Sequence, residues 1–220
     1  MANKEVFSAL LEIRRCQSNM LLKLLQAGEP MLREAARPLS RDEIVSGSVR
    51  DLISSMRETL RDAPGVGLAA PQVGVPIQLA IVEDLPEYWS EMPEQELAAR
   101  ERRAIPFHVL MNPHIVRLSE PSLNFFEGCL SLNGFTALVP RSREIVVEWV
   151  NEHAEVQTIT ASGWYARILQ HEIDHLKGTM YVDRMHSRSF MSLDNYKRHW
   201  KSKNMGNVVK TFAMQREALG

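Results

Sequence analysis

Residues 170–178 read QHEIDHLKG, with His171 and His175 one helical turn apart and Glu172 between them. Positions four apart lie on one helix face, so both imidazoles can grip a single metal ion. Glu172 stands about 100° round the helical wheel from His171, where its carboxylate can reach a water on that ion without ligating. These residue types in this HExxH spacing point to metal-assisted hydrolysis, with the glutamate taking a proton from the water. The flanks punctuate the helix: Ser162 is the predicted N-cap and Gly178 the predicted C′ residue. Arg167, Gln170, Asp174 and Lys177 share one narrow polar arc, and Trp164, Ile168, Leu169, Ile173 and Leu176 cover most of the rest. A helix apolar over so much of its circumference is enclosed by its fold. Histidines and a glutamate on that surface need partners, because burying them alone costs several kcal/mol. A metal supplies them better than a core of merely satisfied histidines.

Outward from this helix the chain has helices first, then strands, then the HExxH helix, then a polar end. That order predicts an α+β fold with mixed, mostly antiparallel sheets wrapped around one central helix. Residues 2–28 are expected to be helical, as are residues 50–60, where Leu52, Ile53, Met56 and Leu60 recur at helical spacing. Residues 77–82, 107–111, 115–118, 137–141, 144–150 and 155–161 are the predicted strands, with Asn112-Pro113 a turn and 151–154 a hairpin. GVGLAAPQVG (65–74) is a glycine-punctuated loop that permits close backbone approach, but it lacks the Lys and Ser/Thr of a phosphate loop. FFEGCLSLNGF (125–135) places a lone cysteine in a second such loop. Residues 83–105 carry seven acidic residues and three arginines and are expected as a solvated insertion with a helical piece near 94–103.

With 220 residues and 45% hydrophobic content, the chain can bury a full core. The expected organisation is one catalytic domain over 1–183, with a helical extension 1–28 and the insertion 83–105, followed by a basic tail 184–220. The net charge of −1 argues for neither nucleic acid nor membrane in bulk. The tail is the exception, with eight Lys/Arg against two acids, and it is a candidate for transient docking on ribosomal RNA. No apolar run approaches the length of a membrane-spanning helix. Lys4, Glu5, Glu12, Arg14 and Arg15 interrupt any secretory apolar region, and Glu5 and Glu12 disfavour an organellar presequence. Two cysteines, Cys16 and Cys129, suit a reducing compartment, so a cytoplasmic location is expected.

A catalytic metal of this kind takes three protein ligands and leaves one position for water. The third ligand is open from spacing. An HExxHxxGxxH site fails because Tyr181 stands in the last position, and the first glutamate after Glu172 is the distant Glu217. Asp183, Asp194 and Cys129 remain.

Three stretches in order, GVGLAAPQ (65–72), EGCLS (127–131) and QHEIDHLKG (170–178), resemble the signature motifs of peptide deformylases. The resemblance runs from Gly28 to Met185, and ASGWYARILQHEIDHL and GFTALVPR are similar to the type 1A branch. It implies an α+β fold and removal of the formyl group from formyl-methionyl nascent chains in bacteria and organelles, with a metallo-endopeptidase as the alternative activity. It implies Cys129, His171 and His175 as metal ligands and Glu172 as general base and acid. Gln72 and the Leu130 N–H become the oxyanion donors, with Gly67 along the substrate backbone. Gly65, Val66, Phe125, Trp164 and Ile168 are the candidate walls of a methionine pocket, and Glu127 and Arg141 a candidate ion pair. The implied physiological ion is Fe2+, which Zn2+, Ni2+ or Co2+ can replace, although the ligand set alone favours zinc. SLNGF (131–135) departs from the proline that many bacterial members carry after the apolar residue. The oligomeric state is not legible in the sequence.

Overall fold

Every residue of β2 (Leu79–Asp84) is buried, as a strand covered on both faces must be. The structure is a computed structural model that describes residues 21–217. Around β2 runs an antiparallel five-stranded sheet in the order β1-β2-β3-β6-β7, comprising β1 (Gly67–Ala69), β3 (Ile105–Leu118), β6 (Glu144–Val150) and β7 (Val156–Ser162). A second sheet joins β4 (Pro121–Cys129), β5 (Leu132–Ser142) and β8 (Met191–Ser192). In chain order the helices are α1 (Arg41–Ile44), α2 (Gly47–Asp62), α3 (Glu94–Arg100), α4 (Gly163–Leu176), α5 (Leu193–His199) and α6 (Met205–Glu217). The HExxH helix α4 packs against β1, β2, β5 and β7, so it lies between the two sheets. The α+β architecture with a central helix is therefore the observed one.

α2 lays Val49, Leu52, Met56 and Leu60 onto Leu68, Ile77, Leu79, Ile81 and Met111. On the other side of the sheet Ile168, Leu169 and Ile173 of α4 meet Val82, Leu110, Ile145 and Val147. α4 ends in a Schellman motif: Gly178 N–H donates to His175 O at 3.1 Å and Thr179 N–H to Asp174 O at 2.9 Å. Gly178 has φ +71°, and a Cβ there would sit 2.6 Å from the Arg33 carbonyl oxygen, so glycine is required by both backbone and space. The start of the helix differs from expectation. Ser162 makes no side-chain cap bond; instead Gly163 N–H donates to Arg143 O at 2.8 Å.

Other sequence expectations are redrawn by tertiary contacts. Most of the helix expected over 2–28 lies outside the described residues, and residues 21–26 are not helical. Their N–H groups are spent elsewhere: Leu22 on Thr59 Oγ1 and Leu25 on Gln72 O. Asn112-Pro113 is no turn but a bulge inside the continuous β3, where a proline's missing N–H is tolerated. The stretch 125–135 is not a loop: it supplies the ends of β4 and β5, joined by the two-residue turn Leu130–Ser131. The excursion 83–105 has its predicted helix, but its ends are buried, with Glu83 held by Arg61 and Asp84 by Arg102. Residues 191–212, expected in a basic tail, pack Val208 and Phe212 onto Phe126 and Leu138.

Asn112 carries the bulge at φ +50°. Its side chain accepts from Leu39 N–H at 2.7 Å and donates to Leu39 O at 2.8 Å. Asn112→Ala loses both bonds and leaves a Cβ in the left-handed region, an expected destabilisation of about 2–3 kcal/mol. Asn112→Gly relieves the backbone and should lose about 1 kcal/mol less. Chemical denaturation of the two variants checks the order.

Candidate metal and catalytic site

Cys129 lies at the end of β4, and His171 and His175 on the inner face of α4. The strand end and the helix bring one sulfur and two nitrogens within 4.8 Å of one another, the metal-competent cluster found among the described residues. Cys129 Sγ and His175 Nε2 are 3.2 Å apart, close to the ~3.6 Å separating S and N ligands of a tetrahedral ion. Of the other two candidates, Asp183 is engaged by Arg33 and by Met180 N–H. Asp194 sits in the exposed first turn of α5. A thiolate and two neutral imidazoles make a donor set suited to a borderline divalent cation, so the residues present fit the ion.

A buried ionic network aims His171. Glu127 Oε2 meets His171 Nδ1 at 3.0 Å, while Arg141 donates to both Glu127 oxygens at 3.0 Å. The guessed Glu127–Arg141 pair is therefore present. Arg167 also reaches Glu127, and Arg141 and Arg184 share Asp174. Three of the four residues of the polar arc are thus buried, all under 8% exposed: Arg167 and Asp174 in this network and Gln170 on the Ser142 backbone, while Lys177 is exposed. With Nδ1 tied to a carboxylate, His171 presents Nε2 to an ion. Burial works to neutralise Glu127, but Arg141, His171 and Arg167 outweigh it and hold the carboxyl well below the usual range. Burial also opposes charge on His171, yet Cys129 and Glu127 raise its pKa well above the ordinary value. Burial, with the neighbouring His171 ring adding to it when that ring is protonated in place of binding an ion, pushes His175 well below the ordinary value.

Two buried polar atoms of the site lack a hydrogen-bond partner, His175 Nδ1 and Oε2 of Glu172. Burial pushes the Glu172 carboxyl up to about 7 against the opposing charge of His171. A carboxyl near neutrality that faces an open space is suited to shuttling a proton. Room for the carboxyl itself exists because residue 67 is glycine: a Cβ there would lie 2.3 Å from Glu172 Oε1. Gln72 is 2% exposed and fixed at both ends. Its Oε1 accepts from Ala69 N–H at 2.8 Å, and its Nε2 points to Ser131 Oγ at 3.1 Å and Cys129 Sγ at 3.5 Å.

Gln72, Cys129, Leu130, His171 and Glu172 open into one cavity of about 620 Å³, whose walls include Gly65, Val66, Gly67, Trp164 and Ile168. Phe125 is not on the wall; it packs edge-on against Trp164, ring centroids 6.3 Å apart, while its neighbour Phe126 lines the cavity. Alternation along a strand turns adjacent side chains to opposite faces, which accounts for the exchange. Several contributors went unread in the sequence. Leu193 and Tyr196 come from the C-terminal segment, and Arg102 from the excursion. Buried Ser131 donates its N–H to Cys129 Sγ at 3.4 Å. Only Glu127 left a signal, being two residues from Cys129 on one strand.

One nitrogen–sulfur donor set, a glutamate without a partner on one oxygen and a fixed amide around an apolar cavity define a mononuclear metallohydrolase layout. Comparison with known proteins agrees. The polypeptide deformylase family matches residues 21–190. Peptide deformylase 1A, chloroplastic/mitochondrial, of Arabidopsis thaliana is 45% identical over 175 residues, which is 80% of this chain and 65% of the relative. Peptide deformylase 1 of Bifidobacterium longum is 39% identical, covering 82% of this chain and 80% of the relative. Among solved structures, the Met-Ala-Ser-bound class I type b peptide deformylase of Acinetobacter baumannii superposes with a TM-score of 0.68 at 30% identity. That superposition covers 76% of this chain and 100% of the other. The chain belongs to the polypeptide deformylase family. It spans somewhat under two thirds of the length of the plant relatives, 65% for the Arabidopsis protein and 62% for a tomato one.

Replacing Glu127 with alanine leaves Arg141 and Arg167 buried without their shared acceptor. The expected destabilisation is about 3–5 kcal/mol, a fall in Tm on the order of 10 °C. Metal affinity of the folded fraction should drop roughly 10–100-fold as His171 loses its anchor. Calorimetry with metal titration measures both.

Proposed function

We propose that this chain removes the formyl group from formyl-methionine at the start of nascent polypeptides, releasing formate and a free amine. The observation that carries the reading is the unpartnered Glu172 carboxyl beside the Cys129/His171/His175 cluster, in the same apolar cavity as the Gln72 amide. Cys129, His171 and His175 would hold one divalent ion. When bound, it supplies the Lewis acidity that lets a water lose its proton near neutral pH. Fe2+ is the physiological ion in this reading, with Zn2+, Ni2+ or Co2+ as substitutes.

The chain's own residues divide the work. Glu172 takes a proton from the attacking water, whose oxygen forms the bond to the formyl carbon. The Gln72 amide and the Leu130 N–H donate to the oxygen that becomes negative, each worth about 3 kcal/mol in acyl transfer. When the C–N bond breaks, Glu172 returns the proton to the leaving nitrogen. Gly67 lets the substrate backbone pass close to Glu172. Gly65, Val66, Trp164 and Ile168, with Phe125 packed behind Trp164 and Phe126 on the wall, receive the methionine side chain. The A. baumannii relative, whose structure holds Met-Ala-Ser, supports this class of ligand.

In this reading residues 1–183, with extension 1–28 and excursion 83–105, carry the catalytic groups, and the basic segment 184–220 completes the same domain through β8, Leu193, Tyr196, Val208 and Phe212. Among the described residues no helix is long and apolar enough to cross a membrane. The expected location is cytoplasmic, and the chloroplastic and mitochondrial relatives extend the candidates to organelles.

Glu172→Ala should lose formate release from formyl-Met-Ala-Ser by at least about 10³-fold while retaining its ion. Chelation should abolish turnover of the unaltered enzyme, and anaerobic Fe2+ should restore it. Substantial residual activity in Glu172→Ala defeats its assigned role. Cleavage of casein without formate release favours an endopeptidase.

The basic segment is proposed to dock on ribosomal RNA through the exposed Lys197, Arg198, Lys201 and Lys203. Because Val208 and Phe212 are core residues, charge reversal at those four positions is a cleaner test than truncation. Ribosome pelleting at low salt should fall at least about tenfold with Tm unchanged; undiminished pelleting refutes the docking.

A further inference from the structure

The segment 22–27 crosses the two site loops and ties them together. Leu25 N–H donates to the carbonyl oxygen of Gln72 at 2.8 Å, and Ala27 N–H to that of Ser131 at 2.7 Å. Between them the Gln26 side chain spans the turn that follows Cys129. Its Nε2 donates to Leu130 O at 3.0 Å, and its Oε1 accepts from Asn133 N–H at 3.4 Å. Gln26 also lines the cavity.

That turn needs outside support. Cys129 pairs with Leu132, so Leu130–Ser131 is a two-residue connection. Such connections favour turn types with positive φ, usually supplied by Gly or Asn, and neither Leu130 nor Ser131 has positive φ. Of the two turn amides, that of Ser131 is given to Cys129 Sγ; that of Leu130 is the oxyanion donor of the proposed reaction. The Leu130 carbonyl shares its rigid peptide plane with the Ser131 N–H; with that plane held by Gln26 on one side and Cys129 Sγ on the other, the adjoining plane that carries the Leu130 N–H can turn only about the two backbone torsions of Leu130. We infer that Gln26 is a positioning residue for the reaction: it holds the 130–133 turn so that the Leu130 N–H faces the developing oxyanion, while Leu25 and Ala27 hold the Gln72 and Ser131 backbones on either side.

This inference rests on the deformylase reading, and one series of assays separates the two. Gln26→Met keeps length and packing but loses both bonds. In metal-loaded enzyme with formyl-Met-Ala-Ser, kcat should fall about 10–100-fold, since a small misplacement of an oxyanion donor has that effect. KM should stay within about twofold, because the lost contact acts in the transition state. The 1H–15N resonances of Leu130 and Ser131 should shift in the resting protein, and Tm should change by no more than about 3 °C, as for an exposed site. Unchanged kcat in Gln26→Met beside an active parent overturns the inference. So does a loss of activity that follows KM or Tm rather than kcat. A parent enzyme that releases no formate overturns the deformylase reading instead.

Discussion

Glu127 is the side chain on which the site depends. One carboxylate, 5% exposed, accepts from Arg141 twice, receives Arg167, and orients the His171 ring. Burying such a group is not in itself a route to stability, since a well-packed apolar replacement is often as stable. What the network provides is direction. It couples the β4–β5 hairpin, which carries the sulfur, to α4, which carries the imidazoles, and so sets the two sources of donor atoms at one distance. Asp174 extends the coupling to Arg184 beyond the helix, and the Schellman stop at Gly178 fixes the last turn in which His175 sits.

The two proposed oxyanion donors are held in a different manner. Gln72 follows β1 in a single helical turn, and Leu130 stands at the hairpin tip, two pieces of chain from different sheets. Their agreement comes from cross-links: Gln72 to Ser131, Ser131 to Cys129, and segment 22–27 to both. Preorganisation of this kind is where most acyl-transfer catalysis resides. The unpaired Glu172 oxygen is its counterpart, a carboxylate oxygen left without a partner beside a network in which Glu127 and Asp174 are both paired.

What could be read in the sequence was whatever repeats with a local period. The HExxH helix, α2, the strands β2, β6 and β7 of the large sheet and the glycine at 178 follow from spacing and from residue chemistry over a turn or two, whereas β1 lay inside a stretch read as a loop. Cys129 emerged as a ligand only with the help of resemblance, since nothing within ten residues of it points to His171. Asn112-Pro113 looked like a turn because its chemistry is turn chemistry; a bulge uses the same residues, and only the long-range bond to Leu39 distinguishes them. Residues 22–27 have the composition of a helix, yet three tertiary hydrogen bonds to Thr59, Gln72 and Ser131 take N–H groups a helix would use, and the segment is not helical. Arg167 read only as part of a polar arc, because a sequence does not tell a solvated charge from one paired across 40 residues. The cavity wall drawn from Tyr196 and Arg102 was invisible for the same reason.

The excursion between β2 and β3 is pinned at its exits. Asp84 grips Arg102 with two bonds of 2.8 Å, Arg100 and Arg102 lie over the Trp164 ring at 4.7 and 5.3 Å, and Glu101 fits against the bare α-carbon of Gly163. Between those anchors, residues 86–99 touch the rest of the molecule lightly, and much of their surface is open to water. Relatives can therefore lengthen, shorten or re-sequence that arc without disturbing the wall beside the reacting groups. Change at either anchor is a different matter, because it reaches Trp164 directly.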